Sequence, residues 1–231
     1  MSKINEFPIE PHALLLTQPS PDQILYNITE KRHFEDMRKN SYLHFKRVDT
    51  HIGDSFDGDQ LPKDRVHNEA IKFSNNEHSA SNYYDNARSR SYACCLSLEY
   101  SEHMKNKYGG ENPVSIKFRF GDLRKELNAT IQYCQLRNDC HVVPNPFYIN
   151  YGKVKYISRD QCQSSKGPPN PIECLYMKDK NYEPEAEAEV RITLSAIGIG
   201  SFKMANGDDL AFLKSLKFEF QLEESYKSRL G

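Results

Sequence analysis

The sequence predicts an α+β fold: a single domain with a mostly antiparallel sheet of about seven strands, flanking helices and a long polar insertion. Two observations carry this prediction. Segments with the period-two alternation of strands recur along the chain, but they do not alternate regularly with helical segments as in a doubly wound fold. The chain also has neither a Gly-x-Gly-x-x-Gly sequence nor a Walker sequence, so a dinucleotide-binding or P-loop fold is not expected.

Length and composition set the outer limits. The chain has 231 residues, which suits one domain, and its net charge of −1 gives no general attraction to nucleic acid or an anionic membrane. No apolar run approaches the length of about 18 residues that a membrane span needs, and the first residues lack a signal-peptide core. We therefore expect a cytoplasmic protein with no membrane association. The sequence does not predict an oligomeric state.

The six cysteines show no metal-binding or paired-cysteine pattern. None belongs to a Cys-x-x-Cys pair, and their spacing matches no common zinc module. In a reducing compartment they are expected to be thiols. The sequence therefore predicts no bound metal.

The predicted elements follow from apolar periodicity and from capping residues. Residues 1–22 are proline-rich and predict an extended N-terminal arm, residues 23–223 form the domain, and residues 224–231 form a polar tail. In the first half of the domain the predicted elements are a strand at 24–28, a helix that Thr29 caps, a strand at 42–48, a central strand at 92–98, a short helix that Ser101 caps, a strand at 114–120 and a helix that Asp122 caps.

The second half of the domain is less regular. Its predicted elements are one or two strands within 147–157, a loop at 158–171, a strand at 173–177, a charged connection at 178–186, a strand at 189–196 and a last strand at 216–222.

The polar insertion comprises residues 49–90. It is rich in Asp, Asn, Ser, Arg and His and poor in aliphatic residues, and it predicts a single short helix near 66–73. An insertion of this length is usually either functional or disordered.

The strand that contains Glu189 carries the strongest functional signal. Its apolar residues alternate with Glu187, Glu189 and Arg191, which is the period of a half-buried strand with a charged face. Two carboxylates at the start of a strand can hold a sugar hydroxyl or stabilise a cationic transition state. The alternative is a solvated charge ladder that contributes about 0–1 kcal/mol per pair.

Several short motifs follow one another between residues 24 and 195: Leu25-Tyr26, Gly53-Asp54-Ser55-Phe56-Asp57-Gly58, Cys95-Leu96-Ser97, Met104 with Tyr108, and Glu187-x-Glu189-x-Arg191. Their order resembles that of a widespread, uncharacterised bacterial and phage family. Its members open with Leu-Tyr-Lys-Tyr, carry Asn-Asp-Pro, Cys-Phe-Ser and Met-Trp-x-x-Tyr, and end with Glu-x-Glu-x-Arg. The chain departs from this pattern at Asn27-Ile28, at Gly53-Asp54-Ser55 and at Lys105, which stands where Trp is usual. The resemblance implies a role in phage–host conflict, as a toxin or an antiviral defence protein.

In layout the chain also resembles ADP-ribosyltransferases, whose small α+β core carries a polar residue on the first strand, a central strand with Ser or Tyr, and a late strand that opens with Glu. The matching positions are Tyr26 or Thr29, then Ser97, then Glu189 with Glu187 before it. This likeness implies that NAD is the substrate. It implies that Glu189 binds the nicotinamide ribose and stabilises the cationic sugar, while Glu187 orients the acceptor or takes its proton.

The same likeness implies two further contacts with NAD. Arg47 or Arg191 would hold the pyrophosphate through bidentate hydrogen bonds, and Tyr108 would stack on a ring. The target that receives the ADP-ribose would be a protein or a nucleotide. The function expected from the likeness is therefore an ADP-ribosyltransferase-like enzyme or an NAD glycohydrolase.

Structural explanations exist for the same side chains. Tyr26 and Tyr108 are also expected as core rings with surface hydroxyls, and Ser97 as a buried strand serine bonded to backbone.

Two other functions remain open from the sequence. A metal-dependent nuclease would use carboxylates near a lysine, as in two-metal sites: Asp54, Asp57, Glu187 and Glu189 with Lys178. A non-catalytic interaction or inhibitor protein would use the polar insertion as its recognition surface.

Overall fold

The computed structural model describes residues 9–51, 56–73, 78–131, 135–138, 141–144, 147–159, 169–185, 189–196 and 207–219. The predicted α+β class is confirmed: helices flank a seven-stranded, mostly antiparallel sheet in a single domain. In these ranges the α-helices are α1 (Lys31–Asn40), α2 (Pro62–Ala70), α3 (Ala80–Ser89), α4 (Glu102–Tyr108), α5 (Phe120–Ile131) and α6 (Pro171–Cys174). None of these described helices has the length and apolar character needed to cross a membrane.

The strands of the described residues are β1 (Ile24–Glu30), β2 (Tyr42–Arg47), β3 (Ser91–Ser97), β4 (Pro113–Arg119), β5 (Gln135–Asn138), β6 (His141–Pro144), β7 (Tyr148–Lys153), β8 (Lys155–Ile157), β9 (Met177–Asp179), β10 (Glu189–Ser195) and β11 (Ser215–Glu219). Seven of them form the main sheet. Strands β5 and β6 pair with each other, and β8 pairs with β9 in parallel.

Strand β3 is the centre of the main sheet. One of its edges pairs along its whole length with β10, which carries β7 on its far side. The other edge is shared, because β2 lies beside Ala93 and Tyr92 whereas β1 lies beside Ser97. Strand β11 extends the sheet beyond β2, and β4 extends it beyond β1. Strands from distant parts of the chain therefore meet at the C-terminal end of β3.

One face of the sheet packs on the main hydrophobic core. Helix α5 covers it with a buried stripe of Leu123, Leu127 and Ile131, as the helical spacing predicts. From β10 the apolar side chains Ile192 and Leu194 point into this core and are 0% and 1% exposed. Full burial of such a side chain contributes about 1.5–3 kcal/mol, so this face supplies much of the driving force for folding.

The opposite face of β3 and β10 is also buried. A second apolar cluster covers it and includes Val48, Ile172, Leu175 and Tyr176. All seven residues of β10 are buried. The expectation of a half-buried strand with a solvated charged face is therefore wrong for Glu189–Ser195, because a second layer of the protein packs on the charged side.

The polar insertion supplies part of that second layer. Its described residues form α2 and α3 rather than the single short helix near 66–73 that the sequence predicts. Helix α3 begins with a capping box, in which Ser79 accepts from the backbone N–H of Asn82 and Asn82 accepts from that of Ser79. This cap and the Pro at the first position of α2 explain why polar segments nevertheless become helical.

Three predicted boundaries are corrected by local chemistry. Thr29 does not cap α1, because β1 continues to Glu30. Asp122 lies in the first turn of α5, which begins at Phe120. The strand predicted at 173–177 is wrong: Asn170 and Glu173 form a capping box that starts α6 instead. Ser101, by contrast, caps α4 as predicted, since its hydroxyl accepts from the backbone N–H of Met104.

The described part of the N-terminal arm, residues 9–22, contacts the domain and contains a short 3-10 helix, Ala13–Leu15, where the sequence predicts an extended arm. Glu10 anchors it to α5, where its carboxylate accepts from Arg124 at 2.7 and 2.8 Å and from Asn128 at 2.6 Å. Further along the arm, the carbonyl of Thr17 accepts from the backbone N–H of Lys153 at 2.7 Å, which covers the outer edge of β7.

Candidate functional site

Tyr26, Ser97 and Glu189 lie in one row across three neighbouring strands. In the antiparallel register, Tyr26 of β1 and Glu189 of β10 are both direct partners of Ser97, one on each edge of β3. Directly opposed residues of antiparallel strands point to the same face of the sheet. The register therefore brings together three of the residues singled out in the sequence, at the end of β3 where β1 and β10 meet.

Glu189 is held by two cations. Its Oε1 accepts from Nε of Arg191 at 3.2 Å and from Nη2 at 2.9 Å, and its Oε2 accepts from Nζ of Lys178 at 2.8 Å. The residue is only 5% exposed. Glu189 and Arg191 are thus part of the interior, and the solvated charge ladder is not how this strand face is arranged.

Arg191 has a second carboxylate partner, Asp57 of the polar insertion. Its Nη1 donates to Oδ1 of Asp57 at 2.7 Å and its Nη2 donates to Oδ2 at 3.2 Å. Nη1 also donates to the carbonyl of Leu175 at 2.6 Å. The partly exposed His51 also contacts this carboxylate: its Nδ1 donates to Oδ2 of Asp57 at 2.5 Å. We call Asp57, Arg191, Glu189, Lys178 and His51 the buried ion network.

The electrostatics of the buried ion network favour the charged forms. Burial alone would raise the pKa of the Asp57 carboxyl, but the charges of Arg191 and His51 outweigh burial and hold this pKa far below its usual value. Burial opposes the charge of Glu189 in the same way, and Arg191 and Lys178 nevertheless lower its pKa. The Lys178 pKa is raised, because the charge of Glu189 outweighs the effect of burial. Glu189 is therefore an anion at neutral pH.

The backbone of the polar insertion fixes the position of Asp57. Gly58 follows it with a φ of +70°, a conformation that residues with a side chain rarely adopt. Nε of Arg88 donates to the Asp57 carbonyl at 2.7 Å, and Nη2 of the buried Arg159 donates to the Gln60 carbonyl at 2.7 Å. Two arginines of the surrounding structure thus hold the loop that presents Asp57 to the sheet.

Cys95 is a neighbour of the network that the sequence did not single out as a site residue. It is the direct β3 partner of Arg191, so its side chain lies on the same face. Cys95 is exposed to solvent. Desolvation by the surrounding protein, followed by the charge of Glu189, raises the pKa of the Cys95 thiol well above its usual value. Cys95 is therefore a neutral thiol and a weak nucleophile at neutral pH.

Ser97 is bonded within its own segment. Its hydroxyl donates to the Glu99 carbonyl at 2.5 Å and accepts from the Glu99 backbone N–H at 3.2 Å. The residue is 4% exposed. This geometry matches the structural explanation for a strand serine, so Ser97 holds the chain where it leaves β3.

Tyr26 lies at the β1 end of the row and is partly buried. Its ring centroid is 5.9 Å from that of Tyr100, and Nζ of Lys117 lies 6.0 Å from the Tyr26 centroid. An aromatic ring beside a cation can hold a flat, polar ligand through stacking and cation–π contacts.

The remaining predicted residues lie elsewhere. Thr29 is three residues from Tyr26 on β1, so its side chain points to the opposite face. Arg47 is the register partner of Tyr92, so its side chain points to that opposite face and is not beside Glu189. Its guanidinium donates to Asp49 at 2.6 Å and to the Phe212 carbonyl at 2.5 Å. Tyr108, which is 48% exposed at the end of α4, lies beside Lys107.

Two predicted residues, Glu187 and Asp54, lie outside the described residues. The expected nuclease site is therefore seen only in part, through Asp57, Glu189 and Lys178. The guanidinium of Arg191 lies between these two carboxylates, at the position where a divalent cation would have to bind both of them. This arrangement disfavours a metal site at these carboxylates.

The sequence contained a weak signal for the network. Asp57 stood out only as one of several acidic residues around glycines, and Lys178 only as a lysine near a late acidic pair. His51 gave no signal, because nothing in its neighbourhood distinguishes it from the other histidines. Comparisons with protein-family models, with curated proteins and with solved structures gave no match to this chain.

Proposed function

We propose that this chain acts on NAD, as an ADP-ribosyltransferase-like enzyme or as an NAD glycohydrolase, with Glu189 as the carboxylate beside the reacting sugar. The observation that carries the proposal is the row of Tyr26, Ser97 and Glu189. Two strand spacings separate Tyr26 from Glu189, or about 10 Å between their backbones. This width suits a ribose and its attached base, with the base near the Tyr26 ring and the sugar near Glu189.

The chemistry of Glu189 supports this role. Loss of nicotinamide leaves a positively charged sugar, which a fixed anion in a poorly solvated site stabilises strongly. A carboxylate oxygen has two acceptor positions. Oε2 of Glu189 accepts one hydrogen bond from Nζ of Lys178. The second position of this oxygen can accept a hydrogen bond from a ribose hydroxyl.

The role of the protein in the cell follows from the resemblance of its motifs. We propose that it acts in phage–host conflict and that it transfers ADP-ribose to a protein or nucleotide target, or destroys NAD. Neither the transfer of ADP-ribose nor the hydrolysis of NAD would require a bound metal. Tyr26 would contact the base of NAD. Lys178, whose side chain is 16% exposed, would be better placed to meet a phosphate than Arg191, whose side chain has no exposed surface.

The test is the release of nicotinamide from NAD by the purified protein, measured by chromatography. Glu189→Gln should lower kcat by about 10²–10³-fold, because it removes the charge that stabilises the cationic sugar while keeping the side-chain shape. Glu35→Gln, which changes an exposed carboxylate of α1, should keep wild-type activity.

Folding of both variants is checked by circular dichroism and by the midpoint of thermal unfolding. The proposal fails if the folded wild-type protein neither binds nor consumes NAD and labels nothing in a lysate supplied with labelled NAD. It also fails if folded Glu189→Gln is as active as wild type.

A further inference from the structure

We infer that Asp57 is a positioning residue for Glu189 and acts through the guanidinium of Arg191. This inference rests on the proposed function, because it assigns a task to a residue of the polar insertion within the same site. The side chain of Asp57 has no exposed surface, so it cannot touch a substrate itself. Arg191 donates to both Asp57 and Glu189, so it links the two carboxylates.

The hydrogen bonds of Arg191 account for all five of its donors. Nη1 uses its two on Asp57 and on the Leu175 carbonyl. Nη2 uses its two on Asp57 and on Glu189, and Nε donates to Glu189. A guanidinium is planar and its five N–H groups point in fixed directions. The plane of Arg191 is therefore fixed from both sides.

This arrangement makes the position of Glu189 depend on Asp57. Arg191 meets Glu189 along the edge formed by Nε and Nη2, and it meets Asp57 along the edge formed by Nη1 and Nη2. Loss of the Asp57 carboxylate frees two donors and allows the guanidinium to turn toward its remaining partners. The Oε1 of Glu189 then follows the guanidinium, and a displacement of about 1 Å can lower a rate by about 10²-fold.

The polar insertion supplies the carboxylate that fixes Arg191. Asp57 is 134 residues from Arg191 in the chain, and Arg88 and Arg159 hold the loop that carries it. The insertion is then a required part of the site rather than only a recognition surface.

The experiment compares Asp57→Asn with Asp59→Asn. Asp59 is a matched control, since it belongs to the same loop and also forms a salt bridge, but with Arg65, at 2.7 Å. We expect Asp57→Asn to lower kcat for nicotinamide release by about 10²-fold with little change in KM, because Asp57 does not touch the substrate. Asp59→Asn should keep both constants near their wild-type values.

A structural role alone would lower the amount of folded protein without separating kcat from KM. Both constants are therefore measured per folded molecule. An Asp57→Asn protein that is folded and has the kcat of Asp59→Asn overturns the inference. If Asp57→Asn does not fold, Asp57→Glu replaces it, because it keeps the negative charge beside Arg191 and moves the carboxylate that Arg191 bonds. A folded Asp57→Glu protein with the wild-type kcat overturns the inference in that case.

Failure of the proposed function is distinguishable from failure of this inference. If the wild-type protein does not cleave NAD, the proposed function fails. Crystal structures of wild type and Asp57→Asn, or of Asp57→Glu if Asp57→Asn does not fold, then decide the inference. A displaced Glu189 carboxylate in the variant supports the positioning role of Asp57. An unmoved carboxylate, at the distances described here, overturns it.

Discussion

The carboxylate of Asp57 and the guanidinium of Arg191 form a salt bridge in which neither side chain has any exposed surface. The two charges come from different parts of the fold, a loop of the polar insertion and the strand β10. Each charge would be very costly to bury alone. The insertion and the sheet therefore depend on each other electrostatically.

Arg191→Met should destabilise the protein by about 3–5 kcal/mol, because it leaves the carboxylates of Asp57 and Glu189 buried without their shared cation. Urea unfolding gives the free energy of unfolding. Lys31→Met removes a cation from an ion pair whose two side chains are each 63% exposed, so its stability should remain close to that of wild type. Equal stability of the two variants would contradict the burial of the network.

Stability should fall as the pH is lowered below about 5. The pKa values of Asp57 and Glu189 are depressed in the folded protein, whereas ordinary Asp and Glu titrate near about 4 when unfolded. The stability that the two carboxylates contribute is therefore fully present above their pKa values in the unfolded chain. It is lost as the pH falls toward their lower pKa values in the folded protein. Urea midpoints between pH 7 and pH 3 measure this loss. Asp57→Asn should show a shallower decrease than wild type, and a parallel decrease would exclude Asp57 as a cause.

Gly58→Ala should cost more stability than Gly207→Ala. Both glycines have a positive φ, which costs a residue with a side chain about 1–2 kcal/mol. At Gly58 an added Cβ would also lie 2.7 Å from Cγ1 of Val48 and 3.0 Å from Cδ2 of Leu175, which adds about 1–3 kcal/mol of overpacking. At Gly207 no atom of the described residues lies within 4 Å of the added atom. Urea unfolding of the two variants isolates the packing contribution, and equal losses would show that Gly58 has room.

The thiol of Cys95 should be accessible but slow to react at pH 8, because its pKa is raised by its dense surroundings and by Glu189. Alkylation with iodoacetamide, followed by peptide mapping, gives its rate, and Cys95→Ser confirms the assignment. Glu189→Gln should accelerate the reaction because it removes a negative charge beside the thiol. Glu35→Gln should not change the rate, and an unchanged rate in Glu189→Gln would place the carboxylate away from the thiol.

Local patterns predicted the seven strands of the main sheet and the capped helix α4, but not the strands β5, β6 and β9. Alternating apolar residues indicate the strands β4 and β10, and Ser101 indicates the start of α4. Two predicted element boundaries were wrong for local reasons. At Asn170 a capping box starts α6 where the apolar residues that follow suggest a strand, and at Glu30 the strand β1 continues directly to the start of α1. Both errors depend on residues that are close together in the chain, so the sequence alone contains the information needed to correct them.

The candidate site was predictable only in part. Tyr26, Ser97 and Glu189 could be proposed together, but their common row depends on the register of β1 and β10 with β3. Arg47 was expected near the same ligand, and the structure places it on the opposite face of the sheet. Register is a property of pairing between distant segments, so periodicity within one strand cannot predict it.

By itself, the sequence determined the α+β class and the faces of the strands, because alternation in a strand fixes which side chains point the same way. Only the tertiary structure decided that the charged face of β10 is buried. A strand with Glu189 and Arg191 on one side would by default face water. It faces the interior here because Asp57, from 134 residues away, offsets the desolvation of Arg191, and no local pattern records such a pairing.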